Sequence, residues 1–208
     1  MTQTIHLILA SASPRRAEIL RNAGFDFEVR PAHVDESLRQ DESAADYVCR
    51  LAEEKVRAVA LQLRGQAVPE PSVIIGADTA VVANGEILGK PTSDEDARRM
   101  LHILSGKTHE VFTGLAVMPM SNQQISVSLE VTRVTFAEIS EDEIEEYIST
   151  GEPFDKAGGY GIQGRGGKFI PRIDGCCFNV MGLPLARLYA MLRELNAGFT
   201  VKTGYNTQ

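Results

Sequence analysis

What this 208-residue chain lacks narrows its class before any motif is read. No window approaches the roughly 18 consecutive apolar residues of a membrane-spanning helix, so no membrane span is expected. Met1 to Thr4 has neither a basic n-region nor an apolar h-region, and no secretory signal is expected. Cysteine is scarce. Cys49, Cys176 and Cys177 are odd in number and lack metal-ligand spacing, which suits a reducing cytoplasm better than a disulfide framework. The adjacent pair Cys176–Cys177 reads as a strand with its two thiols on opposite faces. Basic residues are outnumbered, 21 against 28 acidic, and the net charge of −7 argues against a general nucleic-acid binder. Tryptophan is absent altogether, so no site here can use an indole face.

Against this acidic background the basic residues gathered near Ser11 to Arg16 are informative. Leu7 to Leu9 is a short apolar run ending in small residues. Ser13 offers an N-cap oxygen, Pro14 stands at the first helical position, and Ile19, Leu20 and Ala23 keep a helical period closed by Gly24. Strand, tight turn and helix follow one another. The helix start presents unpaired N–H groups and the positive end of its dipole, flanked by Ser11, Ser13, Arg15 and Arg16, an arrangement that cradles phosphate. The plainer alternative is a capped helix with two solvated arginines.

Further along, Phe25 to Val29 alternates like a strand, and the following loop holds His33, Asp35 and Glu36. Ser43 to Leu63 is a long helix with a Ser43–Asp46 cap, and Lys55 shares the face of Val48, Leu51 and Ala52. Its ammonium can snorkel to the edge or enter an interior cleft. Ser72 to Ala77 reads as a buried strand delivering Asp78 and Thr79 at its end. Ala80 to Leu88 is a hairpin turned at Asn84–Gly85, followed by Lys90. A helix capped by Ser93 runs to Gly106. Thr108 to Met118 and Ile125 onward are strands, the second with a bulge expected near Thr132–Arg133, where the apolar phase slips. Ser140 and Glu143 form a capping box for a helix stopped at Gly151. Glu152 to Gly164 is too glycine-rich for a regular element. Two short strands joined at Asp174–Gly175 precede a last helix ending near Gly198, with residues 199–208 expected to fray. Strands and helices alternate early and strands dominate the middle, so the fold class is α/β with a long mixed sheet. His33, His102 and His109 lack ligand spacing and read as structural or solvated.

Ser11 to Arg16, Gly76 to Thr79, Gly89 to Pro91 and Asp155 to Gly164 stand out, and with the lone Lys55 the chain offers Arg15, Arg16, Lys55, Lys90 and Lys156 as cations and Glu36, Asp78 and Asp155 as carboxylates. A nucleoside triphosphate carries about four negative charges, and a site for it needs several cations and a divalent metal held by carboxylates. Glu36, with Asp78, suits the metal, and Asp35 is the alternative ligand. Arg16, Lys55 and Lys90 suit neutralisation of phosphate charge.

The runs LASASPRR, GADT, GKP, LSG, GEPFDKAGGYGIQG and NVMGLP, in this order, resemble the Maf family of nucleoside triphosphate pyrophosphatases over roughly His6 to Leu195. The resemblance implies a cytoplasmic enzyme that uses a divalent cation, Mg or Mn, to split a nucleoside triphosphate into a monophosphate and pyrophosphate. It implies a single domain over 1–208, with an elongated mixed sheet and flanking helices forming two lobes around a cleft, like the inosine triphosphate pyrophosphatases. Asp78 matches the family's proton acceptor, and Arg15, Thr79 and Gln163 match its specificity-determining positions. The branch acting on N7-methylguanosine triphosphate carries Trp and Glu where this chain has Arg15 and Gln163. The expectation is therefore a dTTP/UTP pyrophosphatase, its Gln163 amide suited to the O4 and N3–H edge of uracil or thymine. The alternatives are the methylguanosine activity and a non-catalytic nucleotide-binding regulator of division. No nucleic-acid or membrane partner is expected, and a homodimer is compatible with the sequence, which does not set the oligomeric state.

Overall fold

The computed structural model describes residues 3–195 and 199–201. Four elements open the chain: β1 (Gln3–Leu9), α1 (Pro14–Asn22), β2 (Phe27–Val29) and α2 (Ala44–Gln62). Strand β3 (Ser72–Ala83) turns through Asn84 and Gly85, both at positive φ, into β4 (Glu86–Leu88). Helix α3 (Asp94–Leu104) leads to the long hairpin of β5 (Thr108–Pro119) and β6 (Ser126–Thr135). After α4 (Glu141–Ser149) come three short 3₁₀ turns, then β7 (Arg172–Asp174), α5 (Cys177–Val180), α6 (Leu185–Leu195) and β8 (Phe199–Val201). No described helix is long and apolar enough to cross a membrane.

The sheet runs β2-β1-β3-β5-β6-β7, parallel from β2 to β3 and antiparallel beyond, with β4 on β3 and β8 on β1. The mixed α/β class expected from the sequence is what forms. Helices α1 and α2 follow β1 and β2 but pack on opposite faces. Ile19 and Leu20 of α1 join Leu7, Leu9 and Ile75, whereas Ala52, Val56 and Val59 of α2 join Ile8 and Ile74. The chain thus reverses its winding between β1 and β3, the place where open α/β sheets characteristically hold ligands. A third cluster, with Val81, Leu88, Leu101, Phe136, Tyr147 and Tyr160, fills the other end of the sheet.

β3 is longer than its pattern suggests. Asp78 and Thr79 are not at its end but in the middle of a 12-residue strand, because β5 pairs with it continuously from Val73 to Val82. The opposite edge is interrupted. β1 reaches only to Leu9 beside Ile75, and β4 pairs only Val81 to Ala83. Among the described residues, 76–80 therefore face no strand on that side, and this gap positions the candidate site.

Several other expectations are corrected. Ser13 is the N-cap residue of α1, but its side chain caps nothing; its own N–H donates to Ser11 Oγ at 3.1 Å. β5 and β6 keep one register from Thr108–Thr135 to Val117–Ser126, so there is no bulge. The slip of apolar phase reflects which face is covered. Val127 and Val131 share the α2 face of the sheet but stand on an outer strand, 41% and 38% exposed, while Thr132 and Val134 point into the core on the other face. Cys176 and Cys177 are not a strand, because Thr132 Oγ1 accepts from Cys176 N–H and donates to its carbonyl, and Cys177 starts α5. The last helix is described over Leu185–Leu195, and its expected end near Gly198 lies outside the described residues. Residues 199–201 form β8 rather than fraying; 202–208 lie outside the described residues.

Candidate active site

A cleft of about 520 Å³ opens at the gap in the β3 edge. The chain leaving β1 supplies one wall, with Ser11, Ser13, Arg15 and Arg16. Gly89 and Lys90, immediately after β4, supply the opposite wall, and the glycine-rich segment Gly161–Gly164 closes one end. Asp78 and Thr79 form the floor. Neighbouring strand residues face opposite sides of a sheet, and both reach the cleft because no strand covers this stretch.

On the α2 side the central feature is an ion triad. Lys55 is buried, and its Nζ lies 2.6 Å from Asp78 Oδ1 and 2.7 Å from Glu36 Oε1. The helix comes close enough for this because Gly76 and Gly114 are where it crosses the sheet. A Cβ on Gly76 would strike the Ala52 carbonyl, and one on Gly114 the Val48 carbonyl. Partial burial pushes the Glu36 carboxyl up, but the Lys55 ammonium outweighs it and holds the group below the usual carboxylate range. The loop carrying Glu36 is fastened to α2. Tyr47 donates to the Glu36 carbonyl at 2.9 Å, and Arg50 donates to the Ser37 carbonyl at 3.1 Å. Arg50 also grips Glu42 through two N–H donors, at 2.6 and 2.8 Å, and holds that carboxyl down at about 2.

On the opposite side stands Arg16. It donates to the Gly182 carbonyl at 2.7 Å, to Ser11 Oγ at 3.2 Å and to Thr79 Oγ1 at 3.2 Å. The supporting chain continues behind it. Thr79 Oγ1 meets Thr113 Oγ1 at 2.9 Å, Thr113 donates to the Asn179 carbonyl, and the Asn179 amide donates to the Val111 carbonyl and to Thr132. Arg16 is thus held by Gly182, Ser11 and Thr79, and among the described residues its remaining N–H groups have no partner. Arg15 lies nearer the mouth and forks onto Asp155, 2.7 Å to Oδ2 and 3.2 Å to the backbone carbonyl. Lys156 donates to the other Asp155 oxygen and to the Glu152 carbonyl.

Of the residues singled out from the sequence, Ser11, Ser13, Arg15, Arg16, Glu36, Lys55, Asp78, Thr79, Lys90, Asp155, Lys156 and Gln163 line this one cleft. Asp35 does not. It is exposed, and its Oδ1 accepts from the N–H and hydroxyl of Ser37, so it closes a local turn. Lys55 takes the interior of its two options. Tyr160 is a core residue whose hydroxyl meets His109 Nε2 at 2.7 Å, and His109 is buried and structural. Tyr47 was missed, although Tyr47, Leu51 and Lys55 at four-residue spacing lie on one helix face. Asn179 and Glu152 were missed as well, and only tertiary contacts reveal them.

A family model described as Maf-like protein matches residues 6–195. The chain belongs to the Maf family. A dTTP/UTP pyrophosphatase of Desulforamulus reducens is 51% identical over 187 residues, covering 90% of this chain and 95% of that one. One of Koribacter versatilis with the same description is 52% identical over 188 residues, covering 90% and 93%. Among solved structures, the Ham1 protein of Staphylococcus aureus superposes with a TM-score of 0.51 at 15% identity, over 92% of this chain and 100% of that one. That likeness is one of fold. The Maf relatives are matched over nearly their whole length, cleft included.

Two carboxylate oxygens, on Glu36 and Asp78, converge on one cation in this Maf cleft, namely the Lys55 ammonium. The ammonium holds that point itself, and the carboxylate oxygens not engaged by it are hard donors of the kind magnesium or manganese takes. Among the described residues no set of three or more acidic, His or Cys side chains gathers for a metal. The remaining ligands would therefore come from phosphate and water, the usual way Mg²⁺ is held at phosphate sites.

Proposed function

We propose that this chain works as a single-domain, cytoplasmic dTTP/UTP pyrophosphatase, hydrolysing the nucleoside triphosphate to the monophosphate and pyrophosphate with a divalent cation, Mg or Mn. The observation that carries the reading is the gap in the β3 edge. It joins a buried carboxylate, Asp78, to a buried ammonium and a locked guanidinium in a cleft that also holds Arg15, Thr79 and Gln163. Relatives about half identical over nearly the whole chain bear the corresponding description.

In this reading the triphosphate lies along the turn after β1, between Arg16 and Lys90, where positive charge matches what the leaving pyrophosphate develops. Asp78 shares Oδ1 with Lys55, and among the described residues its Oδ2 has no hydrogen-bond partner. Oδ2 is the atom that orients the attacking water and takes its proton. Glu36 and Asp78 would hold the metal, which when bound supplies Lewis-acid polarisation of the phosphate. Gln163, exposed at the cleft end, would meet the base through an amide that both donates and accepts.

The test is turnover in ¹⁸O-labelled water over a panel of natural nucleoside triphosphates with Mg²⁺, Mn²⁺ or EDTA. Label is expected in the monophosphate, with UTP and dTTP ahead of CTP and the purines, and EDTA abolishing turnover. Label found only in pyrophosphate, stepwise release of single phosphate, or equal rates with EDTA would overturn it.

A further inference from the structure

Gln163 lies in a segment with almost no backbone support of its own. Between Tyr160 and Arg165 the internal main-chain bond is Gly164 N–H to the Gly161 carbonyl, at 3.3 Å. The two feet of this loop are instead fastened to side chains that do not line the cleft. Glu152 Oε2 accepts from Arg165 N–H at 2.9 Å, and Oε1 accepts from Gly166 N–H at 3.3 Å and from the Tyr147 hydroxyl at 3.0 Å. The Tyr147 oxygen in turn accepts from Gly161 N–H at 3.3 Å. One carboxylate and one hydroxyl thus hold both ends of the turn that presents Gln163.

The glycine pattern follows from this seat. A Cβ at Gly164 would collide with the Glu152 carboxylate, and one at Gly166 would press the Tyr147 oxygen. The loop is laid directly on the pair, and three backbone N–H groups converge there as they would on an external anion. Tyr147 is 2% exposed and packs edge-on against Phe169 at 5.5 Å, so the seat is itself fixed by the core. Glu152 follows Gly151, whose φ of 72° ends α4 and turns the chain back under the loop.

We propose that Glu152, acting with Tyr147, is a positioning residue that sets the Gln163 loop in register with the base, and so governs pyrimidine discrimination without touching substrate. This rests on the base-recognition role given to Gln163 above. Oxygen acceptors on both arms of the carboxylate are essential to it. Glu152→Gln keeps the volume but turns one arm into a donor facing an N–H, which displaces one foot of the loop.

The experiment compares kcat and KM for UTP and CTP in wild type, Glu152→Gln, Tyr147→Phe and the control Ile144→Val, with melting temperatures for all four. Ile144 lies in the same core cluster and does not line the cleft. Glu152→Gln is expected to lower the UTP/CTP ratio of kcat/KM about tenfold, chiefly through KM for UTP, with kcat within about threefold. Tyr147→Phe should shift the ratio the same way by less. Ile144→Val should lower the melting temperature and leave the ratio alone. An unchanged ratio in both loop-seat variants, whatever their melting temperatures, overturns the proposal; if Glu152→Gln does not fold, Tyr147→Phe alone decides. A wild type without preference for UTP over CTP counts against the substrate reading instead. The same ratio, taken between the best and worst nucleotides of the panel, then decides the positioning claim.

Discussion

The two ends of the cleft are built in opposite ways. At the gap in β3, Asp78, Lys55 and Arg16 stand on a long strand and two helices, and each is locked by partners from other elements. Lys55 is held between two carboxylates and Arg16 among three oxygen acceptors. At the far end Gln163 rides on an irregular, exposed turn held by one carboxylate and one hydroxyl. Charge that must meet a developing charge gains from rigidity, since reorganisation during the reaction weakens it. A surface that must tell one base from another is easier to tune on a loop over a fixed seat. In the proposed function, the part that sets the rate is thus separate from the part that sets the choice.

The strongest way to break this comparison is Asp78→Asn. The shape survives while the proton acceptor and the partner of Lys55 are lost, so turnover of every nucleotide is expected to fall by about 10²-fold or more. Steady-state rates with UTP and dTTP check it, and near-normal turnover would place the chemistry elsewhere. Arg16→Lys comes next. A lysine cannot reproduce three donors in a fixed fork, and loss of one charge-assisted bond corresponds to about tenfold in kcat/KM. The loss should be equal for all nucleotides, leaving the UTP/CTP ratio untouched, the reverse of the pattern expected for Glu152→Gln. A change of base preference in Arg16→Lys would blur the two ends.

A third test concerns stability. His109 lies beneath the loop end, hydrogen-bonded to Tyr160, and burial pushes its pKa down to about 4. The unfolded chain therefore binds more protons than the folded one between about pH 6.5 and 4. The stability due to neutral His109 is complete above about 6.5 and is lost as pH falls through that window. From pH 7 to 5 the loss is about 2 kcal/mol, or roughly 4–8 °C in melting temperature for a chain of this size. His109→Gln should flatten this part of the profile. A variant that loses as much as wild type would show that His109 is not the group responsible.

What was legible in the sequence was mostly local. Ser43, Ser93 and Ser140 accept from the N–H groups of Asp46, Asp96 and Glu143, as their spacing implies, because a cap needs only its own helix. Asn84–Gly85 declared its turn for the same reason. The middle of β3 was hidden, since a buried Asp–Thr pair looks like a strand end until the long partner β5 is known. The bulge expected near Thr132–Arg133 is absent because the slip of apolar phase in β6 reflects burial, which Val127, Leu129 and Val131 cannot encode. The cleft-lining set was legible because GADT, LASASPRR and the glycine-rich run are contiguous. Glu152 was not, because its partners are backbone N–H groups thirteen and fourteen residues away.

The interrupted edge of β3 makes strand length a working quantity of the enzyme. β1 leaves the ladder after Leu9, and Ala10 N–H closes its last rung on the Ile75 carbonyl. An insertion of two residues at this point would preserve the inside–outside alternation, the core and the order of every motif. It would also carry β1 one rung pair further along β3, filling the space above Asp78 with polypeptide. Such a chain would fold on the same plan and have nowhere to put a substrate. Where a strand stops is thus as much a part of the active site as any side chain in it.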